Sequence, residues 1–143
     1  MTKVFIASDK ETGYPNKLQK PSTVRASVRD TAETFILDSG IGDDVSNAEV
    51  LDLAEQYSAD FVVAKDYLHD LDRTTESIRE FMDLYESHPC TATPMIPLQP
   101  PHAEHYQDVP DFDTYVLGGM ATEETTDAQA IKWVGEFRDV APD

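Results

Sequence analysis

Cysteine is all but missing from this chain. Cys90 stands alone among 143 residues, which excludes an intrachain disulfide and any zinc site built on a cysteine cluster. Long apolar stretches are missing too. None exceeds four or five residues, against the roughly 20 that span a bilayer. Met1-Thr2-Lys3 leads straight into a strand-like segment, so neither a signal peptide nor a membrane partner is expected, and the reading is a cytoplasmic protein (host cytoplasm if viral). Basic residues are scarce: 11 Lys and Arg face 28 Asp and Glu, for a net charge of −17. The acids are dispersed and not gathered in a tail. Such a surface suits molar salt, where screening removes the self-repulsion, so a salt-adapted archaeal or viral source is expected, with an ordinary acidic protein as the alternative. The same excess argues against general phosphate-backbone binding. His69, His88, His102 and His105 make no metal-ligand spacing with Cys90 or the acids. They read as surface or loop histidines, Cys90 as a packing residue, and no metal or cofactor is expected.

What is present is a set of short apolar runs with chemistry at their ends. FILDSG (Phe35–Gly40), FVVAKD (Phe61–Asp66), PMIPLQ (Pro94–Gln99) and YVLGGM (Tyr115–Met120) each have the length and turn signals of a buried strand. Acid, acid, amide and paired glycines fall at their C-terminal ends, where parallel α/β sheets place their sites. Between them lie helical patterns. Ser46 with Glu49 forms a capping box, followed by Val50, Leu53, Ala54 and Tyr57 at helical spacing. Ile78, Phe81, Met82 and Tyr85 repeat the pattern after a cap at Asp72 or Thr74, and a last helix opens near Thr126 or Asp127 with Ala130, Ile131, Val134 and Phe137 on its inner face. With an early strand at Lys3–Ala7, the order is β, long loop, β, α, β, α, β, loop, β, α.

This alternation predicts a single α/β domain over residues 1–143 with about five parallel strands. A closed (β/α)₈ barrel takes about 250 residues. The chain therefore fits the N-terminal part of a TIM-type (β/α) barrel or a small open sheet. A partial barrel leaves strand edges that favour self-association or a second polypeptide.

Lys10, Lys17, Lys20, Arg25 and Arg29 concentrate five of the eleven basic residues within twenty positions, in an expected loop with Gly13, Pro15 and Pro21. Lys17, Lys20, Arg25 and Arg29 are candidates for contact with nucleic-acid phosphates; an incidental solvated loop is the alternative.

The ordered set of Asp38-Ser39-Gly40, Asp66, Gln99 and Gly118-Gly119-Met120, followed by Glu123 and Glu124, resembles the tRNA-guanine transglycosylase superfamily. The segment VFIASDK and the short spacings look closer to its DNA-modifying branch in viruses and mobile islands. The likeness runs from about Val4 to Val140. It implies a (β/α)₈ barrel that exchanges guanine in DNA or tRNA for a 7-deazaguanine base. Asp38 then matches a general acid/base, with Ser39 and Gly40 completing the motif and Ile41 standing where the family has a second glycine. Asp66 matches the carboxylate that reads the guanine N–H edge, where adjacent donors suit an ionised acid. Gln99 matches the amide bonded to the purine carbonyl, Gly119 the backbone N–H beside it, and Glu123 or Glu124 an acid after the turn. Read without the resemblance, each strand-end acid is also an ordinary helix cap, and Gln99 and the glycines ordinary loop residues.

The resemblance also implies a nucleophilic aspartate on a late barrel strand and, in the tRNA enzymes, a zinc site. No position here matches either. The expectation is base recognition and exchange as part of a split or truncated transglycosylase. The alternatives are a non-catalytic nucleobase-binding protein, or a structural subunit retaining a partial barrel.

Overall fold

In the computed structural model, which describes residues 3–7, 10 and 12–141, all six strands run parallel and neighbour one another in chain order. The sheet curls into half a barrel. Its elements are β1 (Ile6–Ala7), β2 (Asn16–Gln19), α1 (Ala26–Arg29), β3 (Thr34–Leu37), α2 (Asn47–Gln56), β4 (Phe61–Val63), α3 (Leu71–Ser87), β5 (Thr93–Leu98), α4 (His102–Asp108), β6 (Tyr115–Leu117) and α5 (Asp127–Val140). Met1-Thr2, and Ser8-Asp9 of the VFIASDK segment, lie outside the described residues.

The expected partial barrel is present, with one strand more than predicted. β2 occupies the stretch read as a basic loop. It is a polar strand whose Lys17 and Gln19 are buried. Lys17 Nζ donates to Thr12 O at 2.7 Å and to Thr31 Oγ1, and the Gln19 side chain donates to Thr23 O and accepts from Arg25 N. These bonds offset the cost of burying both polar groups.

Phe35, Leu37, Val50, Leu51, Val62, Ile78, Phe81, Ile96 and Leu98 are fully buried where α2 and α3 pack on the sheet. Cys90 packs against them, as expected. Ser46 and Glu49 make both halves of the capping box. The α3 cap is Asp70, which accepts from Arg73 N at 3.0 Å. Thr74, one of the predicted caps, instead closes the preceding loop by bonding both N–H and C=O of Tyr67.

Two further expectations need correction. The segment between β5 and β6 is not all loop, because α4 turns His102 and His105 inward, and both are fully buried. One residue of the predicted inner face of α5 needs correction: Ile131 is 72% exposed, whereas Ala130, Val134 and Phe137 are half-buried as expected and Trp133 is half-buried beside them. Trp133 meets His102, and Phe137 meets Tyr106 and Tyr115. Ring-on-ring contact outweighed aliphatic periodicity there.

With so large an acid surplus, the folded chain should gain about 1–2 kcal/mol as salt rises from roughly 0.1 to 2 M, and its melting temperature should climb by roughly 5 °C. Thermal melts across a KCl series check this; a melting temperature that falls with salt would remove the case for salt adaptation.

Candidate functional site at the carboxyl ends of the strands

The C-terminal ends of β3, β4, β5 and β6 bring most of the predicted residues together. Asp66, three residues past β4, is the hub. Its Oδ2 accepts from Gln99 Nε2 at 2.6 Å and its Oδ1 from Ser39 Oγ at 3.4 Å. Gln99 is fully buried, and its Oε1 accepts from His69 N at 3.0 Å. Those two bonds fix the amide so that its nitrogen, not its oxygen, faces Asp66.

Gly118 and Gly119 lie directly against this pair. A Cβ on Gly118 would stand 2.9 Å from Gln99 Nε2 and 3.3 Å from Asp66 Oδ2. One on Gly119, which has φ +69°, would stand 2.8 Å from Gln99 Oε1 and 2.7 Å from Pro100 Cδ. Only glycine allows both the left-handed conformation and the close approach. Gly40 (φ +72°) is equally constrained, since a Cβ there would meet Asp43 Oδ2 at 2.6 Å. The loop takes its second left-handed residue at Gly42, one position after Ile41.

The electrostatics are set by burial. Loss of water around Asp66 pushes its carboxyl up to about 6, and the negative charge of Asp38 adds to the rise. Burial also raises Asp38, against backbone N–H groups of Ser39 and Gly40 and the charge of Lys20, which lower it. Two neighbouring carboxyls held above their ordinary range, beside a fixed amide and a glycine turn, suit proton transfer or the reading of adjacent N–H donors.

The basic residues do not form one patch. Lys20 is near the site, 3.5 Å from Asp43 and within electrostatic reach of Asp38. Lys17 is enclosed, so its reading as a phosphate contact is corrected. Arg29 donates to the carbonyls of Ala32, Tyr57 and Ser58, toward the opposite end of the sheet, and is likewise spent on the fold. Arg25 precedes α1 and is exposed. Glu123 and Glu124 are exposed in the turn before α5.

Sequence reasoning missed His69, His102 and His105. The His69 ring bonds Gly119 O at 3.1 Å, so its loop bridges β4 and β6 across Gln99. Its φ of +56° is a conformation that non-glycine residues seldom adopt. Cavities of about 320, 430 and 500 Å³ lie elsewhere; the first, lined by Tyr67, Arg73 and Glu80, flanks the start of α3. Among the described residues, no group of His, Cys, Asp and Glu is placed to hold a metal ion, and no helix is long and apolar enough to cross a membrane. Comparison with protein-family models, curated proteins and solved structures finds no match to the chain.

Proposed function

We propose that this chain recognises a guanine or 7-deazaguanine base of nucleic acid, DNA in preference to tRNA, as the base-binding part of a split or truncated guanine transglycosylase. The observation that carries the reading is the pair formed by half-buried Asp66 and fully buried Gln99, 2.6 Å apart and walled by Gly118 and Gly119. Ionised Asp66 accepts from guanine N1–H and N2–H₂, and Gln99 has a second amide hydrogen for the purine carbonyl. The N–H of Gly119 adds a donor to the same oxygen. Asp38, held above the usual carboxylate range, is suited to carry a proton to or from the exchanged base. Lys20 remains the cation best placed for a phosphate.

Calorimetry with free bases tests the reading. Guanine and 7-deazaguanine should bind in preference to adenine, whose edge leaves the Asp66 charge unpaired. Asp66→Ala should weaken guanine binding by about 1–3 kcal/mol. Equal binding of adenine and guanine, or none of either, would leave the structural-subunit reading in its place.

A further inference from the structure

We propose that His102 and His105 are positioning residues of this site: His105 fixes the main chain of Gln99, His102 fixes the carbonyl of Gly118, and together they set the spacing between amide and glycine turn. The inference rests on the base-recognition reading and goes beyond it, to two residues that touch neither base nor sugar.

His105 Nδ1 lies 2.8 Å from Gln99 N, and its Nε2 lies 2.9 Å from Thr75 Oγ1. A backbone N–H can only donate, so Nδ1 carries no proton and Nε2–H points to the threonine. His102 Nε2 lies 2.7 Å from Gly118 O. A carbonyl can only accept, so His102 also carries its proton on Nε2. The bond from Gln99 N makes the His105 ring neutral; burial holds both rings below the ordinary imidazole range, which favours the same neutral tautomer for His102.

The opposite nitrogen of His102 shows why packing alone does not account for the pair. His102 Nδ1 is buried and has no hydrogen-bond partner among the described residues, and the edge-on contact with Trp133 at 5.8 Å is one any ring could make. A buried, unused acceptor costs stability. What the ring provides in return is the bond to Gly118 O. That carbonyl belongs to the residue whose missing Cβ lets the turn approach both Gln99 and Asp66. The two histidines sit three positions apart on one face of α4, so a single short helix holds the β5 and β6 ends of the site at a fixed separation.

Four variants and one spectrum test the proposal. His105→Asn keeps an acceptor near the Nδ1 position and His102→Gln a donor near the Nε2 position, whereas His105→Leu and His102→Leu keep neither. Each leucine variant should lose guanine affinity by about tenfold or more, and the amide variants should recover most of it at unchanged adenine binding. Nitrogen-15 spectra of the ligand-free wild type should show both rings protonated on Nε2 only. Leucine variants that bind guanine within about twofold of wild type, or a ring protonated on Nδ1, would overturn the proposal. If the leucine variants do not fold, the amide variants and the wild-type spectrum still decide it. The tautomers and the Gln99 amide resonance are read without ligand, so a wild type that binds no guanine would count against the base-recognition reading alone.

Discussion

Replacing Asp66 with Asn should make the protein more stable at neutral pH while removing the preference for guanine proposed for it. The folded state raises the Asp66 pKa from 3.8 to about 6. A raised carboxyl contributes its stability below the unfolded value and loses it as pH climbs through the folded value. Wild-type stability from this group is thus fully present below about pH 4 and gone by about pH 7. The shift is just over two units at about 1.4 kcal/mol each; discounted for the solvent-facing part of the carboxyl, roughly 2 kcal/mol is at stake. Asparagine removes the charge and keeps the local bonds: its oxygen accepts from Gln99 Nε2, and its nitrogen donates to the Ser39 hydroxyl, which can turn to accept. Chemical denaturation at about pH 7 should show a gain of roughly 2 kcal/mol for Asp66→Asn, shrinking to nothing near pH 4. Guanine binding to the wild type should fall about tenfold per pH unit below 6, because only the ionised acid accepts both guanine donors. A variant less stable than wild type at neutral pH would mean that the carboxylate serves the fold, and the case for a site maintained against stability would go with it.

The strand ends were legible because a buried parallel strand is written as a short β-branched run, and the residue that breaks the run is visible at once. Leu37 to Asp38 and Leu98 to Gln99 are such breaks. β2 was not legible for the opposite reason. Its NKLQ sequence looks like a loop until Thr12, Thr23 and Thr31 are known to satisfy the buried polar groups. α4 has seven residues, too few for periodicity to register, and its inward positions are histidines, which an apolar count overlooks. The residues proposed to steady the site were therefore hidden in the segment with the least pattern. Their partners are backbone atoms of Gln99 and Gly118, and backbone hydrogen bonding across strands leaves no mark on side-chain order. The capping box at Ser46 and Glu49 was readable because both partners sit three residues apart in the chain.

On its own, the 143-residue chain should leave labelled guanine in DNA and in tRNA unexchanged, in low salt and high. In the transglycosylase reading proposed for the chain, exchange would need a carboxylate oxygen to bond the sugar C1′ as the bond to the base nitrogen breaks, with the base leaving on the electron pair and taking a proton. Neither acid of the site suits the attack. Asp66 is tied on both oxygens by Gln99 and Ser39, in the position proposed for reading the base. Asp38 is raised by burial, which suits it to give the departing base its proton and makes it a poor resting nucleophile. Among the described residues β1 and β6 each pair on one side only, so each offers an edge to a polypeptide supplying further β/α units and a strand-end aspartate. Adding such a partner should restore exchange. Asp38→Asn in the restored complex should then lower the rate by about 10²-fold or more without dissociating it, as size-exclusion chromatography would report. Exchange by the isolated chain at the rate of the complex would instead place the nucleophile among these residues, with Asp38 the first to test by trapping the covalent sugar adduct.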